Sequence, residues 1–586
     1  MSTYIFRYVN VNKSRKTENF AGRMVLCESG SDLAFTRILF LRICAICYAM
    51  AFLSLYPQIP GLYGPQGLLP IHGFFTDFDW TKPSEVYLVL KDRPTLLWFS
   101  TALGLTPDLM LDLLCLAGTA LGLIAALKPT WNGKFTFITL WILYQSIYQV
   151  GQTFMWFQWD ILLLEIGFLC IIVAPFYGSA YYVPRPYDHL NLMLVRWLLF
   201  RMMFASGVVK LTSQCPTWWG LTALPTHYES QCIPTPLAWF AYQLPEFFHK
   251  LSVAGTFFIE VGLVFLFFAP TENLRKFTFL HQVLLMIVIM LTGNYNFFNF
   301  LFIGLCISLI DDSWFRKYNL MESYGFTSKL PKMINMAGYI CIAYFWYILA
   351  LDVKADDKSG SLTLDLNLKF TKGDFNRFMS EFTFLGVVLG GISLAFSALL
   401  TLYKCLNPQD VYNRNSGFFR KIIHMIWSGI YICVATSMFL VSVPTFTRGV
   451  GQPTPPYINE KLQLLPNTFV EQAQNLHLVS SYGLFRRMTG VGGRPEVIIE
   501  VANQRNGPWK ELHFRYKPGN LSEAPQFVLP HQPRLDWQMW FAALGDYQHN
   551  PWFLSLLYRI LESKFISSQI INREMDSRKI LCLDIN

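Results

Sequence analysis

From residue 35 to residue 443 the chain is a succession of long apolar runs separated by short polar junctions. An α-helix needs about 20 apolar residues to cross a bilayer core, and a lipid-embedded segment must satisfy its own backbone, which a helix does. Eleven runs are candidate spans, near 35–55, 108–127, 134–151, 154–175, 192–211, 251–269, 275–292, 295–310, 333–351, 382–403 and 421–443. Two of them, 134–151 and 192–211, carry enough Gln, Arg and Lys that a hydropathy window could miss them. After 443 the pattern changes. Pro444, Pro453, Pro455 and Pro456 mark a linker, alternating segments at 495–502 and 509–517 predict strands, and 534–544 and 551–562 have helical spacing. The expected fold is a polytopic α-helical membrane bundle with an odd number of spans. A polar tail precedes it over 1–34, and a soluble, β-rich α+β domain follows over 444–586.

Composition agrees with this reading: 53% of residues are hydrophobic and 15% charged, against about 25% charged in soluble proteins. One soluble core is excluded. The net charge of +9 is no nucleic-acid footprint, because Lys and Arg cluster just outside the apolar runs; the partner it implies is the lipid bilayer. With the N-terminus in the cytosol, 18 Lys and Arg fall on junctions of that side and 9 on the other. This asymmetry puts loop 212–250 and everything after 443 on the lumenal side, with the first run as an uncleaved signal anchor. The expected location is the endoplasmic reticulum membrane.

The compartment changes how the cysteines read. Cys44, Cys47, Cys115, Cys170, Cys306, Cys341 and Cys433 lie in spans, where a thiol packs as a small apolar group. Cys215 and Cys232 share the lumenal loop, and a disulfide between them is expected. Of two sequons, Asn520-Leu521-Ser522 is lumenal and expected to be glycosylated, whereas Asn12-Lys13-Ser14 is cytosolic.

Ionisable groups at membrane depth need a partner or a cavity. Asp160 and Glu165 share one span, Arg196, Arg201 and Lys210 the next, and Glu260 the one after. They are expected to pair within the bundle and fix its packing. The sharper alternative is a chemical site in which a desolvated Lys210 acts as a base tuned by carboxylates; a transporter using the same polar bundle is a third reading. No zinc-protease, nucleophile-elbow, Walker or dinucleotide motif appears in a supporting context, so no metal and no cofactor are expected. His72, His227, His249 and His281 lack metal-ligand spacing and read as structural.

Three long blocks carry a resemblance. They are GQTFMWFQWDILLLEIGFL from Gly151 to Leu169, the run from Arg196 to Pro236 that contains GVVKLTSQCPTWWG, and HQPRLDWQMWFAALGDYQHNPWFLSLLYRILE from His531 to Glu562. With LTGNYNFFNFL from Leu291, RPEVIIEVANQ from Arg494 and LHFRYKPGNL from Leu512, the sequence resembles the lipase maturation factor family over about 35–565. That resemblance implies a non-enzymatic protein of the endoplasmic reticulum membrane that helps secretory clients, among them dimeric lipases such as lipoprotein lipase, reach their folded state. It directs attention to Trp509, Trp537, Trp540, Phe541, Tyr547 and Trp552 as a client-binding surface, with the domain's own core as the competing role for Trp537 and Phe541. The segment Gly207 to Leu211 is also distantly similar to the membrane part of the vitamin K-dependent carboxylase, where a corresponding lysine is catalytic. Lys210 is therefore the key residue of the enzyme alternative.

Overall fold

A computed structural model describes residues 33–75, 82–178, 183–315, 329–349, 366–407, 418–502, 504–562 and 582–585. The tail over 1–32, with its five basic residues and Asn12, lies outside them. The bundle is built from α1 (Ala34–Leu55), α2 (Pro107–Leu127), α3 (Lys134–Val150), α4 (Gln158–Val173), α5 (Asp188–Thr212), α6 (Ala223–Ser230), α7 (Pro236–Tyr242), α8 (Glu246–Phe257), α9 (Glu272–Thr292), α10 (Phe298–Cys306), α11 (Lys329–Leu349), α12 (Lys372–Leu406) and α13 (Phe418–Gly449).

All eleven expected runs are helical, but the span count is corrected. Among the described residues seven helices are long and apolar enough to cross a membrane: α1 extended to Leu62, α2, α5, α8 with its continuation to Phe268, α9, α12 and α13. The chain is thus a multi-pass membrane protein. Helices α3 and α4, at 17 and 16 residues, rise only about 25 Å, short of a hydrocarbon core of about 30 Å. α10 is shorter still, and α11 opens on a polar turn with Lys329, Lys332 and Asn335 that shortens its apolar stretch. The four fall in two adjacent pairs, α3 with α4 and α10 with α11. Counting a pair or leaving it out does not change the side on which any later loop falls.

α5 is the central helix, buried along nearly its whole length. A small-residue stripe on α12 lets it come close: a Cβ at Gly386 would meet the Phe200 ring at 2.5 Å, and one at Gly390 would meet Trp197 at 2.6 Å. Bulky rings seated over glycines give the close packing that drives helix association in lipid. At the end of the bundle where α1 begins, Asp312 caps that helix from a distant loop. Its carboxylate accepts from the Phe35 and Thr36 amides at 3.0 and 2.8 Å and from the Thr36 hydroxyl at 2.9 Å. Arg37 pairs there with Asp188, which also accepts from Arg185 Nε at 2.9 Å.

Beyond the bundle, the expected linker and β-rich domain are both corrected. α13 runs through Pro444 to Gly449, so the break comes later than the proline signal placed it. The only described strands are β1 (Ile499–Ala502), β2 (Lys510–Glu511) and β3 (Cys582–Ile585), antiparallel in the order β2-β1-β3. The segment 509–517, expected as a full strand, contributes two residues because it bends away after Glu511 to set its amides against Asp536. α14 (Arg534–Ala542) and α15 (Pro551–Leu561) form where the spacing predicted.

Candidate functional site

The C-terminal region does not stand apart as a separate soluble unit. Its segments over 478–486 and 526–540 sit in one mouth of the bundle, and charge and hydrogen bonds tie them there. Asp160, at the start of α4, is wholly buried and is expected to pair with a cation of a neighbouring span. Its partner is Arg534, from the first turn of α14, whose guanidinium donates to both carboxylate oxygens at 2.9 and 3.0 Å. The Tyr144 hydroxyl donates to the same carboxylate at 2.5 Å, and Arg534 also donates to the Phe154 carbonyl. A bidentate, dry ion pair of this kind carries geometric specificity.

Glu165, one turn further along α4, is a second tie. It pairs with Arg201 of α5, and its other oxygen accepts from the Ser480 amide at 2.9 Å and the Tyr482 hydroxyl at 2.6 Å. Arg201 returns a bond to the Ser480 carbonyl at 3.1 Å. Neutral bonds fill the seam between these pairs. Asn294 receives the Val528 amide at 2.8 Å and donates to the Gln526 carbonyl at 2.8 Å. Gln58 receives the Arg534 amide and donates to the Gln532 carbonyl, both at 2.8 Å. The Trp159 indole donates to Gln532 at 2.6 Å.

Lys210 and Glu260 make a third pair inside the bundle at 2.5 Å, with Lys210 also donating to the Ser206 carbonyl at 3.0 Å. Glu260 stands on a π-turn, Phe258–Gly262, that interrupts the helix. Gly207 lets α5 approach that turn, since a Cβ there would meet Val261 at 2.6 Å and Glu260 at 2.9 Å. Beside the pair is a cavity of about 20 Å³ lined by Ser206, Glu260, Tyr295, Asn299 and Phe485 among others. Such a volume holds about one water, and the buried Asn299 amide has no protein partner among the described residues. Arg196 stays out of these pairs and donates to the Ser308 carbonyl at 2.6 Å.

The other sequence expectations divide. Trp552, at 2% exposure, and Trp537 are core residues; Trp537 stacks edge-on against Trp159 at 4.8 Å. They do not belong to a client surface. Trp509 and Trp540 are half-buried, and the Trp540 indole donates to the Ser230 carbonyl at 2.7 Å. Phe541 and Tyr547 remain exposed at 41% and 59%, next to the exposed Leu544. Cys215 and Cys232 stand as free, buried thiols, which corrects the expected bridge. Each has its own surroundings: Cys215 Sγ lies 3.1 Å from the Thr217 hydroxyl, whereas Cys232 Sγ lies against the Trp537 carbonyl at 3.9 Å. Asn520 sits on an exposed turn, open as a sequon must be. The role of Arg534 was not legible in the sequence. The one signal for its role is that Asp160 has no cation within a helical turn of it in the sequence.

Three groups on the C-terminal side of the bundle make the seam sensitive to pH. Burial, with Lys210 nearby, lowers His227 to about 4, and burial with Arg534 and Arg515 nearby lowers His531 to about 4. Both are favoured neutral, so the stability they contribute is complete above the ordinary histidine value of about 6.5 and is lost as pH falls toward 4. Asp536 runs the other way. Burial raises it to about 6 despite the Tyr516 and Lys517 amides that it accepts, so acid relieves it. Two histidines outweigh one carboxyl, and the protein is expected to lose about 2 kcal/mol between about pH 7 and pH 5.5. Thermal unfolding in detergent across that range measures it; an unchanged or rising midpoint contradicts the assignment.

The geometry defines a class: a multi-pass membrane protein whose C-terminal region is ion-paired into one mouth of its helical bundle. The chain belongs to the lipase maturation factor family. Residues 35–317 match the lipase maturation factor transmembrane domain and residues 478–579 the lipase maturation factor C-terminal domain. It is 44% identical to lipase maturation factor 2 of Xenopus laevis over 88% of this chain and 72% of that protein. It is 41% identical to lipase maturation factor 2 of Homo sapiens over 90% and 74%. To lipase maturation factor 1 of Homo sapiens it is 27% identical over 90% and 77%. No solved structure matches the chain.

Proposed function

We propose that this protein is a maturation factor of the endoplasmic reticulum membrane, with its N-terminus cytosolic and its C-terminal region lumenal, where it assists the folding and assembly of secretory clients including dimeric lipases. The observation that carries this reading is which ends of the helices meet the C-terminal region. Its contacts fall on Ser54 at the end of α1 and Gln58 just after it, on Phe154 before α4 and Asp160 in its first turn, on Ser213 after α5 and on Asn294 after α9. Those are the ends that the Lys and Arg asymmetry independently assigns to the lumen. Asp188 and Asp312, which hold the start of α1, belong to the opposite end. Family membership supports the client class, since the relatives are named for lipase maturation.

The client surface in this reading is the exposed apolar set Phe541, Leu544 and Tyr547. No catalytic step and no cofactor enter it. Lys210 is bound by Glu260 and the Ser206 carbonyl, which favours a packing role over a carboxylase-like one. Two measurements test the proposal. An Asn520→Gln variant is expected to run smaller by one endoglycosidase-sensitive glycan; a parent chain without that glycan contradicts the topology. Replacing Phe541, Leu544 and Tyr547 together with serine is expected to lower secretion of active lipase while the protein stays inserted, and unchanged secretion rejects this surface.

A further inference from the structure

The segment that joins α5 to α8 carries a second exposed aromatic surface, distinct from the one proposed for clients. Over α7 and the residues after it, Leu237, Trp239, Phe240, Tyr242, Leu244 and Phe248 are all exposed, with Trp239 and Phe240 at 60% and 62%. Only Ala238, at 1%, anchors α7 inward. From Pro236 to Pro245 the sequence carries no charge at all. So large an uncharged aromatic face is unusual for a surface that meets only water.

Its position says what covers it. The chain just before α7 is fastened to the end of α9: Gln231 donates to the Thr292 carbonyl at 2.9 Å, the Thr235 hydroxyl donates to the Leu291 carbonyl at 2.6 Å, and Pro234 bridges Gly293. α9 is one of the seven helices able to span, and its outer face exposes Leu280, Leu284, Ile287, Val288 and Leu291. The exposed side chains of that face are left open by the described residues, and the face runs directly into α7. The polar groups of the segment lie at its margins, where Glu246 pairs with Lys250 at 2.9 Å and the Tyr242 hydroxyl bonds Glu229.

We infer that α7 lies in the headgroup layer of the bilayer beside the end of α9, with Trp239, Phe240 and Leu244 inserted among the lipids as an interfacial anchor. Tryptophan and other aromatic rings favour this depth, where the ring is apolar and the edge stays hydrated. A short helix held flat in the interface fixes the height at which α6 and the seam behind it stand above the membrane. The occupant is lipid and not a polypeptide client, so this surface and the proposed client surface have separate jobs. The inference needs only the multi-pass fold and is independent of the proposed function.

The test uses the full chain in phosphatidylcholine vesicles, with a photoreactive benzoylphenylalanine placed singly at positions 240, 244, 288 or 547. Position 288 on α9 reports lipid contact and position 547 reports the aqueous C-terminal surface. After irradiation, mass spectrometry is expected to find phospholipid adducts at 240 and 244 several-fold above 547 and comparable to 288. Adducts at both 240 and 244 no higher than at 547 overturn the inference and leave the face open to a protein partner. Substitution at an exposed site leaves the core intact, and the second position serves if the first does not insert.

Discussion

Arg534→Ala is expected to release the C-terminal region from the bundle. The substitution leaves Asp160 wholly buried with no cation, and removes the donor to the Phe154 carbonyl. Breaking a buried pair from one side costs about 3–5 kcal/mol, and nothing nearby replaces the guanidinium: Arg201 and Lys210 are held by Glu165 and Glu260. The measurable result is cleavage by added protease within 478–562 at protease levels the parent chain resists, together with a lower unfolding midpoint. The double variant Asp160→Leu with Arg534→Met removes both charges and is expected to recover much of the loss. It still leaves the Tyr144 hydroxyl without its acceptor. An Arg534→Ala protein as resistant as the parent would refute the seam as described.

Glu165→Ala is the second large effect, and it differs in kind. One carboxylate serves three donors from two parts of the chain: Arg201 in the bundle, and the Ser480 amide and Tyr482 hydroxyl of the C-terminal region. Its loss strands Arg201 and an amide in a dry site, again about 3–5 kcal/mol, with about 1–3 kcal/mol of that class of cost attaching to the unsatisfied amide alone. Glu165→Gln separates the two contributions. An amide oxygen can still accept from Ser480 or Tyr482 but cannot neutralise Arg201, so the Gln variant is expected between parent and Ala in thermal unfolding. Equal midpoints for Gln and Ala would mean that the charge alone matters and that the bonds to 480–482 contribute nothing.

Under the proposed function the two effects matter because the seam fixes where the exposed Phe541 and Tyr547 stand relative to the bundle. α14 carries Arg534 and Asp536 inward in its first turn and Phe541 outward at its end. Loosening the first turn frees the surface at the other end. Loss of the seam is therefore expected to lower client handling even in variants that keep every exposed aromatic.

The eleven apolar runs, the helices at 534–542 and 551–561 and the need of the intramembrane charges for partners were legible in the sequence, because each follows from periodicity or from the cost of a charge in lipid. The number of true spans was not, because α3 and α4 are apolar enough but too short, and length within a run depends on where turns such as Gly151–Phe157 cut it. The strand content was overestimated for a related reason: alternation at 509–517 describes a face that packs, and the structure satisfies its amides with Asp536 where a sheet was expected. The aromatic set mixed two populations that share a composition, Trp537 and Trp552 in the core and Phe541 and Tyr547 outside. A residue's type does not state which side of a short helix meets the bundle.

By itself the sequence determined that this is a multi-pass membrane protein and that its intramembrane charges must find partners. These are matters of transfer free energy, and transfer depends on composition and order along the chain. Only the tertiary structure decided that Asp160 finds its partner 374 residues away in Arg534, that Cys215 and Cys232 part company, and that the C-terminal region is built into the bundle. Those outcomes depend on which distant surfaces come within hydrogen-bonding distance, and a linear pattern holds no record of that.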